Sequence, residues 1–154
     1  MSRWYKQLFQ KSKAGAEAVL GISLTPDQAV WCLVQQAASG PQITQSHSIE
    51  QSFTSPADAL AALRSSAPLP AAPCYICLGH QYYNLLLVDA PDVPDQELRE
   101  AVRWKVKDLI HQAVDDMVMD AFRLPDDAYR GRMNMLYVAA IERAVIQGIV
   151  EQCD

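Results

Sequence analysis

The sequence lacks long apolar runs, a surplus of positive charge and any clustered set of metal-binding side chains. None of its 154 residues belongs to a run near the ~20 apolar residues that a membrane-spanning helix needs. The formal net charge of −5 argues against broad binding to nucleic acid, because phosphate contacts require a basic surface. No P-loop, Ser-His-Asp pattern or catalytic cysteine setting occurs. We therefore expect a chain that does not bind nucleic acid, and the absence of a signal peptide predicts the cytoplasm.

The sequence has four cysteines and three histidines, and no histidine has ligand spacing to another. Cys74 and Cys77 form a CxxC pair, but residues 73–79 have the apolar pattern of a central strand, in which residues three apart point to opposite faces. A zinc site would need a second pair of ligands. We expect both to be buried structural thiols, and we expect no metal and no other cofactor.

Charge is distributed unevenly along the chain. Residues 1–16 carry four basic residues and no acid, whereas the remainder carries nine basic and eighteen acidic residues. As a helix, this basic arm would place apolar residues four apart on one face, flanked by cations. Such a helix suits an anionic membrane surface; the alternatives are a solvated tail or a helix packed on a partner. The residues predicted to contact the membrane lie within positions 1–13 and are Trp4, Tyr5, Lys6, Leu8, Phe9 and Lys11.

The rest of the chain has the pattern of an α/β fold in two parts. From residue 17 to residue 79, three strands joined by tight turns precede a helix that begins at Ser55 and Pro56, and a fourth strand follows. The third strand has a polar face, which is typical of an edge strand. From residue 80 to residue 154 the order is strand, helix, strand, strand and a final helix. The second of these strands is predicted over residues 114–122, where apolar residues alternate with acidic ones. We expect two subdomains with these bounds, the first in the order βββαβ.

The helix predicted over residues 95–110 has two faces. At about 100° per residue, its apolar stripe faces the core and consists of Leu98, Val102, Val106 and Leu109. Trp104 lies nearly opposite this stripe, with a basic ridge between. A tryptophan in this position either packs against the first subdomain or anchors a partner, and the ridge is either a binding surface or a solvated face. The predicted partner-binding residues are Arg99, Glu100, Arg103, Trp104 and Lys107.

Residues 85–124 resemble the PilM-type proteins of type IV pilus assembly. In that family an acidic helix with the pattern EL..A.RW follows a strand, and the matching positions here are Glu97, Leu98, Ala101, Arg103 and Trp104. Within the family, the sequence is most similar to the branch that serves the mannose-sensitive haemagglutinin (MSHA) pilus. The order βββαβ resembles the opening of an actin-like or ribonuclease-H-like fold. The second part resembles the inserted strand-helix-strand-strand subdomain of the family.

The resemblance implies a non-enzymatic cytoplasmic adaptor, peripheral on the inner membrane. Family members bind the N-terminal tail of a PilN-type membrane protein in a groove between the first and the inserted subdomain, so a PilN-like partner is implied here. The alternatives are an actin-like ATPase or ribonuclease-H-like enzyme fragment whose active site is lost, and an α/β scaffold half that is stable only in a complex.

Two departures from actin-like ATPases oppose the enzyme alternative. Ser23 and Leu24 stand where those proteins carry an Asp and a Gly, and Leu24 does not readily adopt the positive φ that Gly permits. The first strand also lacks the carboxylate that metal-dependent ribonuclease-H chemistry requires. In addition, the sequence stops before the second half of an actin-like fold, which would supply the rest of a nucleotide cleft.

Overall fold

A computed structural model describes residues 18–94, 96–110, 112–124 and 134–153. The basic arm, with every residue predicted to contact a membrane, lies outside the described residues. The chain forms two compact units that divide between Leu78 and Gly79. Its elements are, in chain order, β1 (Ala18–Leu24), β2 (Gln28–Ala37), β3 (Gly40–Glu50), α1 (Pro56–Ser66), β4 (Cys74–Leu78), β5 (Asn84–Asp89), α2 (Leu98–Val106), β6 (Met117–Arg123), β7 (Met135–Glu142) and α3 (Arg143–Glu151).

The first unit contains a four-stranded sheet in the order β3-β2-β1-β4. The first three strands form an antiparallel meander, and β4 pairs in parallel with β1 after the crossover through α1. The β2–β3 hairpin turns at Gly40, whose φ of +117° is a conformation that side chains with a Cβ rarely adopt. The predicted order βββαβ and the edge position of β3 are confirmed.

Helix α1 begins where the sequence predicts. The Ser55 hydroxyl accepts a hydrogen bond from the backbone N–H of Asp58 at 3.1 Å, and Pro56 occupies the first turn. The hydroxyl of Thr54 donates to the Asp58 carboxylate, and this bond, together with hydrogen bonds to the carboxylate from the side chain and backbone of Ser55, lowers the pKa of Asp58. The buried side of the helix consists of Pro56, Ala59, Leu60 and Leu63.

The prediction that β4 is a central strand with buried thiols is wrong. Among the described residues, β4 lies at the edge of the sheet beside β1, and both Cys74 and Cys77 are exposed. An unbroken apolar run indicates a strand with two non-polar faces, but it does not specify how many strands pair with it. The sequence pattern therefore identifies the strand and not its place in the sheet.

The second unit contains an antiparallel sheet in the order β5-β7-β6, with α2 packed on one face. Strand β6 alternates as predicted, with Met117 and Met119 buried and Val118 and Asp120 exposed. Residue 114, predicted to begin this strand, instead opens a short 3-10 turn at Val114–Asp116. The core of the unit consists of Val88, Leu98, Val102, Val106, Ile110, Met117, Met119, Leu136, Val138 and Ala140.

Helix α2 is shorter than the predicted 95–110, and this changes one core residue. The regular helix ends at Val106, and residues 107–109 form a turn closed by a bond from the Leu109 N–H to the Val106 carbonyl at 2.9 Å. The helical spacing therefore does not extend to Leu109, which is 55% exposed. Ile110, which follows the turn, occupies the core position instead. None of the helices in the described part of the chain has the length and apolar character that crossing a bilayer requires.

Candidate functional site

A concave surface lies between α2 and the 3-10 turn that follows it in the second unit. Its cavity has a volume of about 420 Å³, and the residues that line it are Glu100, Arg103, Trp104, Lys107, Ala113, Val114 and Asp115. We call this the Trp104 pocket. It brings together four of the five residues predicted from the sequence to bind a partner.

Trp104 forms the exposed wall of the pocket. Because Leu98, Val102 and Val106 direct the opposite side of α2 into the core, the indole points away from it and is 74% exposed. The ammonium group of Lys107 lies 6.0 Å from the centre of the indole ring. A cation in this position is attracted to the ring face, which restrains the two side chains as a pair. The geometry thus presents a large aromatic surface that α2 does not use for its own packing.

Arg103 fixes the opposite wall of the pocket. Its guanidinium donates to the backbone carbonyl of Val114 at 3.2 Å and to the Asp115 carboxylate at 3.1 Å. The Arg103 side chain is 27% exposed and the Asp115 side chain is 98% exposed, so water screens the ion pair. The bond to the carbonyl joins α2 to the 3-10 turn. Arg103 therefore holds the 3-10 turn against α2 at the side of the pocket and also contributes a positive charge to the pocket.

Arg99 does not line the pocket. It pairs with Asp120 of β6 at 3.0 Å, and the two side chains are 68% and 74% exposed. The predicted basic ridge is therefore divided, with Arg99 directed toward the sheet and Arg103 and Lys107 directed toward the pocket. An exposed pair of this kind contributes about 0–1 kcal/mol to stability.

Sequence reasoning missed the contribution of the 3-10 turn to this site. Ala113, Val114 and Asp115 line the pocket, whereas the sequence predicts that residue 114 begins a strand. The signal that could have indicated the turn is the acidic pair Asp115 and Asp116, which follows a helix with a basic ridge. Opposite charges on successive elements favour their approach.

The pocket is chemically suited to binding. Its described lining residues offer one aromatic face, two cations, two carboxylates and two small apolar side chains, with no imidazole, hydroxyl or thiol among them. Such a mixture fits a short peptide that carries an apolar anchor and flanking polar groups.

The two residues that depart from the actin-like ATPase pattern, Ser23 and Leu24, lie at the end of β1. Leu24 is fully buried at the end of β1 and fills the core, and Ser23 beside it is exposed. No residue other than glycine has a positive φ in the described part of the chain, so Leu24 adopts ordinary extended backbone. The Leu24 side chain therefore occupies the position at which actin-like ATPases carry a glycine.

No protein-family model and no curated protein matches this sequence. Solved structures do match it. The PilM-PilN type IV pilus biogenesis complex has a TM-score of 0.65 at 21% identity, and the match covers 87% of this chain and 43% of that one. The cytoplasmic domain of EpsL, an inner-membrane component of the type II secretion system of Vibrio cholerae, has a TM-score of 0.62 at 16% identity, with 88% and 52% covered.

A protein of unknown function with an actin-like ATPase fold, from Bacteroides thetaiotaomicron, has a TM-score of 0.53 at 13% identity, and the match covers 99% of this chain and 52% of that one. The chain thus spans about half the length of the structures that it matches. Together these likenesses show that the chain has part of an actin-like α/β fold. The fold that the PilM resemblance implies is therefore confirmed.

Proposed function

We propose that this chain serves as a non-enzymatic adaptor in type IV pilus assembly, of the MSHA type, and binds the N-terminal tail of a PilN-like inner-membrane protein. The observation that carries the proposal is the Trp104 pocket, in which a 74% exposed tryptophan stands beside two basic side chains. The likeness to a PilM-PilN complex supports the same class of partner.

The binding energy in this proposal comes from a small number of contacts. Tryptophan and arginine are enriched among the residues that dominate protein interfaces, because they bury large areas and donate hydrogen bonds there. Trp104 supplies the area, and Glu100, Arg103, Lys107 and Asp115 set the orientation of the tail through its polar groups.

A titration with the N-terminal cytoplasmic peptide of the PilN-like partner tests the proposal. We expect Trp104→Ala to weaken binding by at least about 30-fold, which corresponds to roughly 2 kcal/mol, the loss typical of a dominant interface residue. Leu109→Ala is the matched control, because Leu109 is also exposed on this segment and does not line the pocket. Equal affinities of the wild type and both variants would refute the role of the pocket.

The proposal assigns no enzymatic activity to the chain, and the placement of Ser23 and Leu24 supports this. Nucleotide binding is the competing hypothesis, because one structural neighbour has an actin-like ATPase fold. Thermal unfolding with magnesium and ATP discriminates between the two. A ligand at 100 times its Kd should stabilise the chain by about 2.7 kcal/mol, whereas we expect an unchanged unfolding curve.

The proposal also places the chain in the cytoplasm, peripheral to the inner membrane through the basic arm. Each of the four cations of residues 1–16 would contribute about 1 kcal/mol at an anionic surface. Co-sedimentation with anionic and with neutral vesicles tests this part. Binding to both vesicle types alike, or to neither, would refute the electrostatic contact.

A further inference from the structure

The edges of the two sheets differ in how they are protected from pairing with another chain. At the β6 edge, the Asp120 carboxylate accepts a hydrogen bond from the backbone N–H of Ala121 at 3.0 Å and also pairs with Arg99. A charge at the edge and an occupied backbone group of this kind keep a strand from pairing further. The β3 edge of the first sheet is protected in other ways, by Pro41 and by a shift in its register with β2.

Strand β5 has none of these protections along its middle. Leu85–Val88 is an unbroken apolar run without proline, and its register with β7 has no shift. Among the described strands, only β7 pairs with it. Leu85 and Leu87, which lie on the same face of the sheet, are 50% and 40% exposed. An exposed apolar edge strand is a template for pairing with a strand of another molecule.

Hydrogen bonds near the end of β5 show which of its backbone groups face the free edge. The N–H of Ala90 donates at 2.7 Å to the backbone carbonyl just before β7, so Ala90 is directed toward β7. Because successive residues of a strand alternate in direction, Leu85, Leu87 and Asp89 direct their backbone groups outward. The carbonyl of Asp89 accepts a hydrogen bond from Lys105 Nζ at 2.9 Å, which agrees with this direction and occupies that carbonyl. Leu85 and Leu87 therefore present both of their backbone groups at the free edge.

We propose that β5 pairs with β5 of a second copy of this chain, antiparallel and about a two-fold axis that passes through Leu86. In this register, Leu85 of each copy lies opposite Leu87 of the other, so their outward N–H and C=O groups form two hydrogen-bonded pairs. Residues directly opposite each other share a face of the sheet, so these leucines also contact one another. The result is one continuous sheet in the order β6-β7-β5-β5-β7-β6.

Charge and hydrogen bonding favour this register over the neighbouring one that is centred on Leu87. That register would place Asp89 opposite Leu85 of the second copy, and it would need the Asp89 carbonyl that Lys105 occupies. In the register centred on Leu86, the Asp89 residues of the two copies are six positions apart, which is ~20 Å at ~3.3 Å per residue. This distance exceeds the Debye length of ~8 Å at physiological ionic strength, so their repulsion is screened.

The symmetry of the pairing limits the assembly to two copies. The two-fold axis uses the β5 edge of both copies, and the edge that remains in each second unit is the protected edge of β6. Contact along one short strand is smaller than the ~800 Å² per partner that is typical of stable interfaces. The dimer is therefore weak and reversible, and it forms at high protein concentration.

Sedimentation equilibrium of the full chain between about 10 μM and about 1 mM tests the proposal. We expect the average mass to rise with concentration toward twice that of one chain. Leu85→Lys and Leu87→Glu should each weaken the association by at least about tenfold, because each places a charge opposite a leucine. The double variant Leu85→Lys/Leu87→Glu should associate more tightly than either single variant, since this register places each lysine opposite a glutamate.

Val118→Lys is the matched control. Val118 is 37% exposed on the same face of the sheet, but it lies on β6, away from the β5 edge. We expect the control to associate as the wild type does. A loss of association equal to that of Leu85→Lys would indicate packing between sheet faces and would overturn the proposal. A wild-type chain that stays monomeric, assemblies larger than a dimer, or a double variant no tighter than the single variants would overturn it as well.

Amide exchange of the wild type, measured by NMR, tests the same pairing without a substitution. The amides of Leu85 and Leu87 should exchange at least about threefold more slowly at the high concentration than at the low one. The amides of Leu86 and Val88, which face β7, should show no such change. Equal concentration dependence of all four amides would contradict pairing at this edge. None of these outcomes bears on the Trp104 pocket, which the peptide titration tests separately.

Discussion

Trp104 and Leu98 lie on different sides of α2, and truncating each to alanine should have different consequences. Leu98 is 4% exposed and belongs to the core of the second unit, whereas Trp104 is 74% exposed. If Trp104 is an interface residue, Trp104→Ala removes partner binding and little stability. If it is a packing residue, the loss of stability should match that of Leu98→Ala.

The structure gives the expected size of each effect. Leu98→Ala creates a cavity under α2, and truncations of this kind cost about 2–5 kcal/mol. Trp104→Ala removes surface that water already contacts, which costs about 0.5 kcal/mol or less. It also removes the contact with Lys107 at 6.0 Å, worth about 0.5–1 kcal/mol at an exposed site. The loss of stability from Trp104→Ala should therefore be at most about 1.5 kcal/mol, below the about 2–5 kcal/mol expected from Leu98→Ala.

Calorimetric and guanidinium unfolding of the two variants measure this difference. For a chain of this size, 1 kcal/mol corresponds to about 2–4 °C in Tm. At about 3 °C per kcal/mol, we expect Trp104→Ala to lower the Tm of the chain by less than about 5 °C and Leu98→Ala by about 6–15 °C. Equal decreases would refute the reasoning and would show that Trp104 is an ordinary packing residue.

Three further predictions concern other parts of the two units. Arg103→Ala removes the bonds to Val114 and Asp115, so it should destabilise the second unit by about 1 kcal/mol. It should also speed hydrogen exchange of the 3-10 turn, and unchanged exchange there would contradict the role of Arg103. The lowered pKa of Asp58 stabilises the first unit at pH 7, and this contribution is lost as the pH falls from about 3.8 through the native pKa. In acid unfolding, Asp58→Asn should lack this loss of stability. Identical acid-unfolding curves for the wild type and the variant would contradict the prediction. Thiol labelling of the native protein should be fast at Cys77 and slow at the half-buried Cys32, and similar rates would contradict the exposure of Cys77.

The elements that local chemistry specifies were predictable from the sequence. Ser55 and Pro56 define the start of α1 whatever packs against it, and the alternation in β6 separates Met117 and Met119 from the exposed side. Helical periodicity likewise places Trp104 away from the apolar stripe, but it left open whether this side chain packs elsewhere or is exposed.

Features that depend on distant parts of the chain were not predictable in the same way. The edge position of β4 depends on which strands exist to pair with it, and an apolar run carries no such information. Because α2 ends at Val106, the helical spacing does not continue to Leu109. Leu109 therefore lies outside the core, and Ile110 lies in it. The Trp104 pocket depends on the 3-10 turn at Val114–Asp116, which tertiary contact with Arg103 helps to fix.

The placement of two tryptophans gives the chain a pair of optical probes. Trp31 is 5% exposed in the first unit and Trp104 is 74% exposed in the second. Indole emission shifts to shorter wavelength in apolar surroundings, so the two residues emit in different parts of the band. With Trp4 replaced by phenylalanine, the blue component reports unfolding of the first sheet. The red component reports whatever covers α2, and each event can be followed in one cuvette without a label.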